Sequence, residues 1–201
     1  MYAVRERYKG KSGSFFLVNK TIPNILAVFL ALLCASPGIA RDKELPFENF
    51  NIKFELLDRA GNVVTEADLR GKYVLLAFGF TRCAHICPMM VANMAMTLNV
   101  TDNKAMGVFI SVDTERDTPA NAHAYASGFH ESMMGLSGSH QQVRSAANNF
   151  GISFVVTKSH KAYTVVHTSD IFLIGPDGKL IDVFALNAPP LEIAEAMKPW
   201  Q

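Results

Sequence analysis

Cysteine is almost missing from this chain: there are 3 in 201 residues, and one of them, Cys34, falls within the first forty. A disulfide framework is thereby excluded for the remainder, which has only Cys83 and Cys87. A bridge between them would span just the residues Ala84, His85 and Ile86. The entropy that a cross-link removes from the unfolded chain grows with loop length, so stability is a weak motive for this pair. Clustered basic charge is missing too. The net charge of +1 hides an asymmetry, since residues 1–40 hold Arg5, Arg7, Lys9, Lys11 and Lys20 against Glu6 alone. Residues 41–201 carry 14 basic and 17 acidic residues, a formal −3, with no patch of the kind a nucleic-acid surface requires. There is no long polar tract, no internal repeat and no linker within 45–201. With 49% apolar residues, one globular domain over 45–201 behind a leader is expected.

A long uninterrupted apolar run is also absent. Ile22 to Leu33 is 12 residues, broken by Pro23 and Asn24, where a spanning helix needs about 20. Basic residues precede this run, and Gly38-Ile39-Ala40 follows it with the small side chains a signal peptidase selects. Residues 1–40 therefore read as a signal peptide. Counting Phe15–Val18 and Ala35–Ala40, they read alternatively as a retained membrane anchor. Both imply export, into a bacterial periplasm, with the domain soluble or tethered to the inner membrane. Cys34 follows Leu33, a poor fit to a lipoprotein box, and reads as an apolar residue of the leader.

What the chain does have is Thr81-Arg82-Cys83-Ala84-His85-Ile86-Cys87-Pro88, directly after the β-forming run Tyr73–Phe78. Pro88 suits the first turn of a helix, where no backbone N–H is needed. The cysteines thus stand where a buried strand passes into a helix N-terminus, and there free N–H groups and the helix dipole favour thiolate. Such a pair can form a disulfide, attack one, or hold a soft metal. Upstream, Leu45–Leu57 alternates into a half-buried strand, Asp58–Asn62 turns, and Val63-Val64 returns as a hairpin. Thr65–Asp68 fits a capping box ending at Leu69. Downstream, the pattern predicts a helix over Met89–Leu98, a strand over Val108–Val112, and a helix over Pro119–Phe129 capped by Asp117 or Thr118. Ser139 caps another helix, with Val143, Ala146, Ala147 and Phe150 on one face. Ser153–Thr157 reads as a short strand and 158–163 as a polar loop. Gly175-Pro176-Asp177-Gly178 joins Ile171–Ile174 to Leu180–Phe184 as a hairpin, and a helix over 190–198 closes the chain. This order predicts an α/β protein of thioredoxin-like fold: a central mixed sheet flanked by helices, with an N-terminal β-hairpin.

His167 precedes the strand at Ile171, on a loop that such a sheet returns to the first strand-to-helix junction. It can therefore approach Cys83 and Cys87, and two thiolates with one imidazole suit copper. Structural zinc calls for a fourth ligand. A satisfied loop histidine is the plainer alternative. Met89, Met90, Met94 and Met96 offer soft thioethers but read as core filling. Asp113 ends a strand at the edge where such sheets place their sites, whereas Glu115, Arg116 and Asp117 read as a capped, salt-bridged loop. His123, His130, His140 and His160 have no ligand spacing and read as surface residues.

Three ordered motifs carry a family resemblance. They are Phe80-Thr81-x-Cys83-x-x-x-Cys87-Pro88, Val112-Asp113-x-Glu115-Arg116-Asp117-Thr118-Pro119, and His167 ahead of Phe172–Gly178. Over about residues 48–198 the chain resembles the Sco/SenC family of copper-binding assembly proteins. The resemblance implies one copper, Cu(I) or Cu(II), bound through Cys83, Cys87 and His167. It also implies a role in maturing the dinuclear copper centre of cytochrome c oxidase. The implied partners are the oxidase subunit that receives copper, other copper chaperones and thiol reductases. The chain departs from the family pattern at Ala84 and His85, where proline and an acid are common, and at Val166, where an acid is common. His85 is a candidate additional ligand or an exposed loop residue.

Three readings follow. The first is a copper chaperone, a binding protein rather than a turnover enzyme. The second is an exported thiol–disulfide oxidoreductase, in which Cys83 attacks and Cys87 resolves. The third is a peroxidase, which would need Arg82 or Arg116 at the sulfur.

Overall fold

The computed structural model describes residues 50, 52–102, 104–160 and 162–197. The leader expected over 1–40, with Cys34, lies outside the described residues, as do Phe47 and the end of the last expected helix. Among the described residues no helix is long and apolar enough to cross a membrane.

Strand β1 (Glu55–Leu57) pairs antiparallel with β2 (Val63–Thr65). Asp58 fixes the turn between them, its Oδ1 accepting from the N–H groups of Ala60 and Asn62 at 2.8 Å. A 3-10 turn (Glu66–Leu69) follows, with the expected box between Thr65 and Asp68. Strand β3 (Tyr73–Gly79) is buried along its whole length. It is the centre of a five-stranded sheet ordered β5-β4-β3-β8-β9. Strands β4 (Ala105–Ser111) and β5 (Met133–Leu136) extend the sheet in parallel on one side. Strands β8 (Asp170–Ile174) and β9 (Leu180–Ala185) extend it antiparallel on the other. The sheet is mixed, as expected.

Because both faces of β3 are covered, its sequence is a continuous apolar run rather than an alternation. Val74, Leu76 and Phe78 pack with Phe54, Leu56, Val143, Ala147 and Phe172, under the N-terminal hairpin and helix α3 (His140–Asn149). Tyr73, Leu75 and Ala77 pack with Met90, Met94, Phe109 and Ile193, beneath α1 (Ile86–Val100), α2 (Pro119–Ser127) and α4 (Pro190–Glu195). Thr118, not Asp117, caps α2, its side chain accepting from the Asn121 N–H. Ser139 and Gln142 form a capping box on α3.

Three elements differ from expectation. Helix α1 begins at Ile86 rather than Met89, so Cys87 lies inside its first turn. Pro88 does not delay the start, because first-turn N–H groups have no intrahelical partner to lose. Strand β5 is too short, and too rich in methionine and glycine, to announce itself. Strand β7 (Tyr163–His167) was expected as connecting chain, yet pairs antiparallel with β6 (Phe154–Lys158) in a ribbon separate from the main sheet. On this ribbon the exposed Val166 stands opposite the exposed Val155, and His167 stands opposite the buried Phe154. Of the four methionines of α1, Met90 and Met94 fill the core as expected, whereas Met89 and Met96 are exposed.

Candidate metal centre

Cys83 sits in the turn after β3, half-buried, its N–H donating to the Phe80 carbonyl at 3.2 Å. Cys87 is fully buried, and its N–H donates to Cys83 Sγ at 3.3 Å. The helix terminus expected from Pro88 thus points a first-turn N–H at the first sulfur. Both cysteines are free thiols. The end of β7 brings His167 to the second sulfur, with Nε2 3.4 Å from Cys87 Sγ. His167 Nδ1 lies 2.7 Å from the Thr168 carbonyl oxygen, which can only accept. The proton therefore belongs on Nδ1, and the Nε2 lone pair faces the sulfur. Phe80 sets its ring edge-on to the imidazole at a centroid distance of 5.8 Å.

Electrostatics separate the two thiols. Partial burial pushes Cys83 up, but the N–H and thiol of Cys87 and the N–H groups of His85 and Ile86 outweigh it, leaving Cys83 below its ordinary value. Burial, with the Cys83 sulfur next, pushes Cys87 up to about 12. Burial holds His167 below the ordinary imidazole value against the opposing Thr168 carbonyl, so the ring is neutral at pH 7. Alkylation requires thiolate. Iodoacetamide at pH 7 should accordingly modify Cys83 faster than Cys87 by about tenfold or more in the reduced protein. Peptide mapping by mass spectrometry checks this, and equal rates at the two positions would contradict the assignment.

Two carboxylates brace the surroundings. Asp117 is buried and accepts from the Thr81 N–H at 2.7 Å, Thr81 Oγ1 at 2.6 Å and Ser111 Oγ at 2.6 Å. It is no simple loop or cap residue: it ties the cysteine turn to the end of β4. Asp113, fully buried, pairs with Arg116 and accepts from Tyr163 Oη at 2.6 Å. The Arg116 guanidinium lies 3.7 Å over the centre of the Tyr163 ring. Glu115 pairs with Lys158 on β6. Asp113 thus anchors the ribbon that carries His167 and is hydrogen-bonded to neither sulfur. Arg116 is engaged by Asp113 and Tyr163, and among the described residues neither arginine of the peroxidase reading is hydrogen-bonded to a sulfur. The exposed His85 lines an open cleft of about 300 Å³ together with Phe80, Arg82, Cys83, Arg116 and Tyr163. His140 and His160 are exposed, and His123 and His130 are half-buried, with His130 Nδ1 accepting from the Ser132 N–H. The Asp117 brace, the Tyr163 bond and a buried Tyr125 hydroxyl had no signal in spacing, because each depends on closure between distant segments.

Cys83, Cys87 and His167 are neighbours in series rather than a finished cage; among the described residues no three such groups are already gathered at ligand distance. Their chemistry nevertheless fits a soft ion: two sulfurs and a neutral nitrogen with its lone pair turned inward.

Fold and site together define a thioredoxin-like protein with paired cysteines at its first strand-to-helix junction and a histidine set against them. Residues 42–200 match the family model described as SCO1/SenC, and the chain belongs to that family. It is 34% identical to protein sco1 of Schizosaccharomyces pombe over 152 residues, covering 72% of this chain. It spans 58% of that relative's length. The structure of Arabidopsis thaliana ScoI with copper bound is similar at 31% identity and a TM-score of 0.67, covering 73% of this chain and 94% of that one. BsSco is described as a Sco-family cytochrome c oxidase assembly protein with a disulfide switch. It is similar at 27% identity and a TM-score of 0.60, covering 76% of this chain and 94% of that one.

Proposed function

We propose that this protein is an exported copper chaperone that binds one copper ion through Cys83, Cys87 and His167. It delivers that ion to the dinuclear copper centre of cytochrome c oxidase. The observation that carries the reading is the placement of His167 Nε2 3.4 Å from Cys87 Sγ, with Nδ1 anchored on the Thr168 carbonyl. A ligand nitrogen whose partner nitrogen is fixed by a hydrogen bond is the usual arrangement at metal sites. The copper-bound relative supports the choice of ion, and the description of BsSco supports the oxidase as client. The basic and apolar composition of residues 1–40 supports export, as a cleaved signal or a membrane tether.

Copper here is cargo. The chain's own task is to present two sulfurs and an imidazole and to give up the Cys83 and Cys87 protons as the ion enters. Reduced protein loaded anaerobically and then exposed to air should retain copper near one equivalent and show sulfur-to-Cu(II) charge-transfer bands. His167→Ala should abolish those bands and lower copper retention at least about tenfold. An unchanged spectrum in that variant removes His167 from the site.

The difference between the two thiols favours a second reading, thiol–disulfide exchange. Cys83 thiolate attacks a client disulfide, forming a mixed disulfide and expelling one client thiolate. Cys87 then attacks Cys83 Sγ, releasing the second client thiol and leaving the Cys83–Cys87 pair oxidised and the client reduced. This chemistry does not require His167, so its survival in His167→Ala, with no copper held by the unaltered protein, selects it.

A further inference from the structure

Two buried side-chain atoms among the described residues lack a hydrogen-bond partner, Asn93 Oδ1 and Tyr125 Oη. The asparagine is at least held by its other end, its Nδ2 donating to the Leu186 and Ala188 carbonyls at 2.9 and 2.8 Å. Tyr125 has no such explanation. A phenol taken out of water normally finds a partner, because leaving its O–H unpaired costs free energy.

The surroundings of the ring show what the hydroxyl is near. Tyr125 projects from α2 between Phe109, 5.0 Å away between centroids, and Phe129, 5.3 Å away. Phe109 in turn lies against the strand that leads to the cysteines. A Cβ built on Gly79 would stand 2.6 Å from Phe109 Cε2 and 3.1 Å from Cys87 Sγ. Phe109 therefore packs both on the Tyr125 ring and on Gly79, beside which Cys87 Sγ also lies. Burial holds the Tyr125 phenol above its ordinary value, and the charges of Cys87, then Cys83, then Asp117 add to the effect. The hydroxyl therefore keeps its proton at physiological pH and has that proton to donate.

In the dithiol state no hydrogen bond takes up that donor. Metal ligation changes this, because Cys87 loses its proton to solvent and leaves a thiolate in a site closed to water. Resting on the copper reading above, we propose that Tyr125 acts through Cys87: its hydroxyl, unbonded in the dithiol state, moves to donate to the Cys87 sulfur when that sulfur becomes a copper ligand. A hydrogen bond to a ligand thiolate withdraws electron density from it, which disfavours Cu(II) relative to Cu(I) and sets the potential of the site. The orphaned hydroxyl of the metal-free protein is then a group held ready for the loaded one.

Tyr125→Phe in the full chain removes the hydroxyl and nothing else. In the reduced, metal-free protein its urea midpoint should equal or exceed that of the unaltered chain, because no bond is lost. Loaded with copper, the variant should show its sulfur-to-Cu(II) band at longer wavelength. Its relative affinity for the two oxidation states should shift toward Cu(II) on the order of tenfold, measured by competition with a Cu(I) chelator and by redox titration. Copper-loaded variant and unaltered protein that agree in band position and potential overturn the proposal while leaving the copper reading intact. A metal-free variant clearly less stable than its parent also overturns it, by showing that the hydroxyl has an ordinary structural partner. An unaltered chain that retains no copper overturns both readings together.

Discussion

Asp117→Ala should destabilise the protein by about 3 kcal/mol or more and remove most copper retention with it. The side chain is 3% exposed and accepts three hydrogen bonds, two from Thr81 and one from Ser111. Alanine offers none, and it strands the hydroxyl of fully buried Ser111 together with the part-buried N–H and hydroxyl of Thr81. Each such group costs about 1–3 kcal/mol when buried and unpaired. Thr81 lies two positions before Cys83, so the loss falls on the turn that aims the first sulfur. Asp117→Asn, which retains one acceptor oxygen, should lose roughly half as much. Urea unfolding of the metal-free proteins gives the stability, and copper analysis after gel filtration gives the retention. A midpoint for Asp117→Ala within error of the parent would mean that the turn is held by its backbone alone.

Gly135→Ala should be comparably damaging for a different reason. Gly135 lies in β5, under α2, and a Cβ there would stand 2.1 Å from both the carbonyl carbon and the oxygen of Ala122 and 2.4 Å from the His123 nitrogen. Those are backbone atoms in a helix and cannot swing aside as a side-chain tip does. Helix α2 must lift from the sheet, opening contacts around Ala122, Ala126 and Phe109. Overpacking of this kind costs typically 1–3 kcal/mol, and a backbone clash lies at or beyond the upper end, about 3 kcal/mol or more. Thermal and urea unfolding should agree on the loss; a difference of a few tenths of a kcal/mol would show that β5 yields instead.

Much of this architecture is legible in the residues themselves. The run Tyr73–Phe78 declares a strand covered on both faces, Ser139 and the pair Asp117-Thr118 declare helix starts, and Gly175–Gly178 declares a hairpin, because each signal is local. The cysteine pair and His167 are legible as chemistry because few residue types make soft ligands. What escapes is what depends on partners far along the chain. Strand β5 exists because β4 offers it an edge, not because Met133-Met134-Gly135-Leu136 prefers to be extended. Tyr163 reads as loop until Asp113, fifty positions earlier, supplies its acceptor. Tyr125 reads as an ordinary aromatic on a helix, and only the fold shows that its ring packs on Phe109, which lies against Gly79. Helix α1 starts at Ile86, three residues before the expected Met89, because the free N–H groups of a first turn let Pro88 stand inside it.

The separation of the β6–β7 ribbon from the five-stranded sheet has a thermodynamic consequence. The thiols belong to the body of the protein and the imidazole to the ribbon, so an ion held by all three is a rivet between two pieces. By linkage, the factor by which copper strengthens ribbon docking equals the factor by which a docked ribbon strengthens copper binding. A client that draws the ribbon away through Tyr163 or Lys158 would loosen the ion by that same factor without touching either cysteine. The strength of that coupling is set by what holds the ribbon down, the buried Phe154 and the Tyr163–Asp113 hydrogen bond.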